Sequence, residues 1–190
     1  MHVSSKNILT IDPPFLFKTG EIFNDPLFIA YETYGELNDK KDNAILVTTG
    51  LSPSAHLCST SEDQSPGWWE KIAGEGKYID TQKYFVICIN SLGSCYGSSG
   101  PASFKPDTDV KYGLSFPEVT IEDMAQSMKP VIDELGIKTL HSIIGPSMGG
   151  MTAMSLVKQF PSITKNLILI STAASCRPFS IAVRSLQRKL

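Results

Sequence analysis

Hydrophobic residues along this chain come in short continuous runs separated by longer mixed stretches, the spacing expected when strands alternate with helices. Leu27 to Glu36 (LFIAYETYGE) reads as a strand rich in β-branched and aromatic residues. Ala44 to Thr48 (AILVT), Tyr84 to Ile89 (YFVICI), a run led by Ile143 and Ile144, and Leu167 to Ile170 (LILI) read as four more. These later runs are too continuously apolar for half-exposed strands, which predicts a parallel sheet covered on both faces. One helix is predicted from Thr120, whose side chain can cap it, to near Gly136, with Glu122 and Asp123 at the positive end of its dipole. Val119, Met124, Met128, Val131, Ile132 and Leu135 mark its apolar stripe, and Pro130 is expected to kink or break it. A second helix opens directly after Ser147, runs through Met151, Met154, Leu156 and Val157 to Phe160, and stops at Pro161. Two Gly-, Ser- and Pro-rich stretches, Leu51 to Trp69 and Ser91 to Pro106, follow strand ends. In an open α/β sheet such loops form the ligand crevice beyond the carboxyl ends of the strands, so both are expected near Ser147.

Composition narrows the class. The 190 residues are 42% hydrophobic and 19% charged with a net charge of −2, which suits one globular α/β domain and excludes disorder, collagen and coiled coil. No apolar run approaches the roughly 20 residues of a spanning helix, and the start MHVSSKNILTIDPP lacks the apolar core of a secretory signal. A cytoplasmic protein is expected, with neither membrane nor nucleic acid as partner. Cys58, Cys88, Cys95 and Cys176 show no C-x-x-C spacing, so neither a zinc site nor a disulfide framework is indicated. Charge is placed unevenly. The 43 residues after Ser147 carry Lys158, Lys165, Arg177, Arg184, Arg188 and Lys189 with no Asp, Glu or His, leaving −8 for the first 147.

Chemistry concentrates at Gly145-Pro146-Ser147-Met148-Gly149-Gly150, which contains Gly-x-Ser-x-Gly. In this nucleophile elbow a sharp strand-to-helix turn holds the serine hydroxyl out of the sheet edge, and the glycines make room for the strained backbone. The bare string is a weak signal, but an apolar strand before it and an amphipathic helix after it are the setting the motif requires. The Met148 amide, at the positive end of the following helix, is the first candidate oxyanion donor. The second, by position at the end of an early strand, is the amide of Leu51 in Thr49-Gly50-Leu51. A triad needs an acid and then a histidine downstream of the serine, and none follows Ser147 in these residues. His2 lies at the terminus, His56 reads as a polar loop histidine, and His141 opens the strand into the elbow as part of the scaffold. Gly74-Glu75-Gly76-Lys77 is too short for a phosphate loop and reads as a turn. Trp68-Trp69 reads as a loop anchor on the core.

Longer strings carry a family resemblance. AYETYGELN (Ala30 to Asn38), GWWEKIAGEGKYIDTQKYFVICIN (Gly67 to Asn90), LGSCYGSSGP (Leu92 to Pro101), FPEVTIEDM (Phe116 to Met124) and GPSMGGM (Gly145 to Met151) resemble the α/β-hydrolase-fold amino-acid O-acyltransferases typified by homoserine O-acetyltransferase. TGLSPSAH (Thr49 to His56), NSLGSC (Asn90 to Cys95) and PFSIAVRSLQR (Pro178 to Arg188) look more like the branch acting on L-serine. The resemblance implies an α/β-hydrolase fold, a mostly parallel sheet flanked by helices, and acylation of Ser147 by acetyl-CoA or succinyl-CoA. The acyl group would then pass to the hydroxyl of homoserine or L-serine, with no metal and no bound cofactor, in a protein that is a homodimer at full length. Family members are longer and carry their catalytic Asp and His beyond a helical lid, so residues 1–190 are expected to be an amino-terminal portion with the lid beginning near 177–190. Two other readings stand beside transfer: a serine esterase or thioesterase built on the same elbow, and an inactive or partner-dependent piece lacking the acid and base.

Overall fold

Each apolar run becomes a strand, and the strands assemble into one sheet. The computed structural model describes residues 7–189. In chain order it has β1 (Asn7–Ile11), β2 (Phe15–Leu16), β3 (Ile22–Phe23), β4 (Leu27–Tyr34), β5 (Ala44–Thr48), β6 (Ala73–Gly74), β7 (Ile79–Asp80) and β8 (Phe85–Ile89). There follow α1 (Ile121–Glu134), β9 (Leu140–Pro146), α2 (Met148–Gln159), β10 (Thr164–Ile170) and α3 (Pro178–Gln187). Six strands form the main sheet in the order β1-β4-β8-β5-β9-β10. β8, β5, β9 and β10 run parallel, while β4 lies antiparallel to β8 and β1 antiparallel to β4. The short pairs β2–β3 and β6–β7 have two residues per strand, and β1 is half exposed, so their patterns are too brief or too weak to read from sequence.

Alternation along the strands divides the core between two faces. In β5, Leu46 belongs with Ile87, Ile89, Ile143, Met128 and Leu156 under the helices α1 and α2. Ile45 and Val47 face the other way, joining Val86, Cys88 and Ile144 beneath the segment that carries Leu57, Trp68 and Trp69. A loop, rather than a helix, therefore covers the second face. The two indole rings stack at 4.9 Å, and the Trp68 Nε1 donates to the Ser54 carbonyl at 3.0 Å, which is the anchoring expected of them. Gly74 to Lys77 forms the turn between β6 and β7, also as expected.

Two expectations need correction. Pro130 does not break α1, which runs unbroken from Ile121 to Glu134. The proline removes one backbone donor, but Met128, Val131 and Ile132 around it are fully or almost fully buried, and their packing outweighs the one lost bond. Second, β10 is not covered on both faces, since Ile168, Leu169 and Ile170 are 45%, 40% and 41% exposed. β10 is an edge strand paired only with β9, and among the described residues nothing packs on its outer side.

Candidate active site

Parallel pairing brings the carboxyl ends of the strands to one edge. Thr48 of β5 pairs with Ile89 of β8, Val47 with Ile144 of β9, and Pro146 of β9 with Ile170 of β10. The residues that follow, Thr49, Asn90-Ser91, Ser147 and Ser171, therefore lie along that edge. Thr49 Oγ1 and Ser91 Oγ lie 3.1 Å apart, joining two of these loop starts.

Ser147 stands at this edge with φ 53° and ψ −122°, a conformation that costs a non-glycine residue about 1–3 kcal/mol. Its side chain is exposed and makes no capping bond to α2, so the hydroxyl is left facing outward. The strain is held by neighbours: Ser147 N–H donates to the Ile170 carbonyl at 2.9 Å, and the Gly150 amide donates to the Ser147 carbonyl at 3.1 Å. The three glycines have the steric role their spacing suggests. A Cβ on Gly145 would lie 2.6 Å from Gly150 Cα, one on Gly149 would overlap the Thr48 carbonyl, and one on Gly150 would overlap the Thr172 side chain.

Met148 opens α2, so its amide is among the first-turn donors that have no intrahelical partner and that sit at the positive dipole end. Leu51 lies three residues beyond the end of β5, with its side chain 84% exposed. Its segment is fixed upstream where Thr48 Oγ1 donates to the Gly149 carbonyl at 2.8 Å, tying the end of β5 to the first turn of α2. Sequence reading missed Thr48, although a hydroxyl ending an otherwise apolar strand was the available signal.

The histidines are accounted for elsewhere. His141 lies at the start of β9, roughly 20 Å along the strand from Ser147, with its ring against Tyr84 and its Nδ1 2.8 Å from Ser142 Oγ. His56 is buried, with Nδ1 3.1 Å from Glu32 Oε2 and Nε2 2.9 Å from the Ser65 carbonyl. It is thus a buried, paired group rather than a solvated loop residue. The clue was Glu32, a carboxylate set inside an otherwise apolar strand. His2 lies outside the described residues.

Both predicted crevice loops begin at the Ser147 edge, and they then diverge. Residues 91–106 stay there, pinned where the Ser98 hydroxyl accepts from the Ala30 amide at 3.0 Å and the Ser99 amide donates to the Phe28 carbonyl at 2.7 Å. Residues 51–69 instead run down the sheet face until Leu57 N–H reaches the Tyr34 hydroxyl at 2.7 Å. A cavity of about 850 Å³ lies at that far end, lined by Tyr34, Gly35, Cys58 and Thr81, away from Ser147. A cavity of about 460 Å³ lies beside α2, lined by Met151, Met154, Lys158 and Cys176. It is the nearer to Ser147 in the chain and the one more apolar in character. Among the described residues no group of three or more His, Cys, Asp or Glu could hold a metal, and no helix is long and apolar enough to cross a membrane.

The chain is 51% identical over 176 residues to a serine O-succinyltransferase of Xanthomonas axonopodis pv. citri, covering 93% of this chain and 44% of that protein. The chain spans about half the length of the curated relatives it matches. The crystal structure of esterase E22 superimposes with a TM-score of 0.82 at 33% identity, covering 95% of this chain and 51% of that one. That of homoserine O-acetyltransferase from Bacillus anthracis gives 0.79 at 32%, covering 91% and 48%. A family model described as the alpha/beta hydrolase fold matches residues 43–186. With that match spanning most of the chain, the chain belongs to the α/β hydrolase fold family.

Proposed function

We propose that the whole protein transfers an acyl group from an acyl-CoA to the side-chain hydroxyl of a small amino acid. Succinyl-CoA and L-serine are the first pair to test, with acetyl-CoA and homoserine as the alternatives. The observation that carries this reading is the outward, strained Ser147 at the head of α2, in a chain half identical to a serine O-succinyltransferase. Ser147 Oγ attacks the thioester carbonyl carbon while its proton passes to a base, and the oxyanion is held by the Met148 amide with the Leu51 amide as second donor. Collapse breaks the C–S bond, and the proton leaves with the CoA thiol. The amino-acid hydroxyl then attacks the acyl-serine ester, its proton goes to the base, and Ser147 departs as the free hydroxyl. The reading places the base, a histidine oriented by an aspartate, in the part of the relatives' length that these residues do not match. α3, which has no buried residue, would begin the lid that keeps water from the acyl-enzyme.

The similarity to esterase E22 favours a second reading in which water replaces the amino acid. Both are tested on the full-length protein by following CoA release from succinyl-CoA and acetyl-CoA with and without serine or homoserine. Transfer requires that release depend on the amino acid and that the acyl-amino acid accumulate. Equal release without an acceptor supports the hydrolase, and the absence of an acyl adduct on Ser147 from either donor sinks both.

A further inference from the structure

Among the described residues the buried charged side chains are Glu32, Asp80, Asp123 and His56. Two of the three carboxylates are supplied with backbone amides. Asp80 accepts from the Gly76 and Gln82 amides, and Asp123 from those of Lys18 and Thr120. Glu32 instead has two side-chain neighbours, the Tyr34 hydroxyl at 2.7 Å and His56 Nδ1 at 3.1 Å, both on Oε2, while its Oε1 is buried without a partner. A buried carboxylate so sparsely served needs a compensating charge.

The proton positions around His56 follow from what its neighbours can do. The Ser65 carbonyl can only accept, and the Ser65 hydroxyl, 3.2 Å from Nε2, gives its own proton to Asp63 Oδ1 at 2.6 Å, so Nε2 carries a hydrogen. The Tyr34 oxygen accepts the Leu57 amide, and its own proton points to Glu32. A neutral imidazole has one N–H, and with that hydrogen on Nε2 the Nδ1 lone pair would face the Glu32 carboxylate, with Asp63 Oδ2 a second carboxylate oxygen 4.0 Å away. The other ionisable groups near Glu32 offer no positive charge. Burial pushes the Cys88 thiol up, and it pushes the Cys58 thiol up to about 11, so both stay neutral. Burial and Glu32 also raise the Tyr34 phenol. Lys77 is engaged by Glu70, at 2.9 Å.

We propose that His56 is held as an imidazolium by Glu32, and that this clamp fixes the segment from Leu51 to Ser65 on the sheet, making His56 a positioning residue for the Leu51 oxyanion amide. The inference rests on the acyl-transfer reading for its functional part alone. Three segments converge on the ring: β4 through Glu32, the loop through His56 itself, and residues 63–65 through Ser65 and Asp63. Leu51 sits between this clamp and the Thr48 bond to α2. Burial alone would lower the His56 pKa, but the Ser65 carbonyl, then Glu32 and Asp63, outweigh it and raise the value. The clamp is therefore complete below the ordinary histidine range and is lost as pH rises through the raised folded value.

The test is a histidine ¹⁵N NMR titration of the full-length protein, combined with amide exchange over residues 51–65 corrected for intrinsic pH dependence. The expected result is both His56 nitrogens protonated at neutral pH, with loop exchange rising as that proton is lost. kcat should fall roughly tenfold or more across the same midpoint, with KM for acyl-CoA little changed, because an oxyanion contact acts in the transition state. Glu32→Gln should move the midpoint down by about one pH unit or more. A single protonated nitrogen at neutral pH in the wild-type protein overturns the proposal, whatever the variant does. An imidazolium whose loss changes neither loop exchange nor kcat overturns the positioning role. If loop exchange follows the titration in a protein that transfers no acyl group, the clamp stands and the acyl-transfer reading is the one that fails.

Discussion

Ser147 holds a backbone conformation that suits glycine better than serine, so its exposed place at the head of α2 is obtained at a cost in stability. Ser147→Gly is expected to raise unfolding free energy by about 1 kcal/mol while lowering acyl transfer by about 10³-fold or more. Ser147→Ala, with the same φ restriction, should lose the activity without the gain. Denaturant melts of the two variants decide the point, and identical midpoints would mean the elbow carries no strain. Glu70 offers a separate test in acid. Its carboxyl is held down to about 2 by Lys77 first, then by the Ser59 and Gly67 amides. A depressed folded value stabilises the protein above the ordinary 4.5 and is lost as pH falls toward 2. Thermal melts should therefore fall more steeply across that window in the wild type than in Glu70→Gln, and parallel curves would show that the Glu70 bonds do not matter to stability.

At the scale of elements, the helices are set by their ends and their buried faces. The start of α1 is a reciprocal cap: Asp123 N–H donates to Thr120 Oγ1 at 3.3 Å and Thr120 N–H to Asp123 Oδ2 at 2.8 Å. Asp123 Oδ1 also takes the Lys18 amide at 2.7 Å, so the cap fastens the segment after β2 to the helix. Thr120→Ala should cost about 1 kcal/mol in urea unfolding, and a loss below a few tenths would mean that Asp123 alone suffices. The same helix tolerates Pro130 because its stripe is buried against the sheet. α2 differs, since its first turn has to approach β5 so closely that only glycine fits at position 149.

At the scale of the whole molecule, the sheet ends in two edge strands, β1 and β10, and exposed apolar side chains gather at the β10 end. There β10 presents Ile168, Leu169 and Ile170, while α3 exposes Phe179, Ile181 and Leu186. Unpaired strand edges and contiguous apolar surface drive association. The 190-residue chain by itself is therefore expected to self-associate in sedimentation velocity and to bind a hydrophobic dye, with Ile168→Lys and Leu186→Lys reducing both. A dye-silent monomer would show that these surfaces are covered in solution.

The strands β4, β5, β8, β9 and β10 with the helices α1 and α2, the turn at Ser147 and the cap at Thr120 were legible in the residues because each depends on local rules: runs of apolar side chains, glycines at a strained turn, a hydroxyl before a helix. The long strings shared with amino-acid O-acyltransferases were legible for the same reason, being contiguous in the chain. What folding alone decided are relations between distant positions. That Pro130 is tolerated depends on burial supplied by the sheet, and that β10 lies open depends on what does not pack there. The pairing of Glu32 with His56 spans 24 residues, and the bond from Thr48 to Gly149 spans 101. No local pattern encodes such contacts, because they exist only once a parallel sheet has brought separate strands and their loops together.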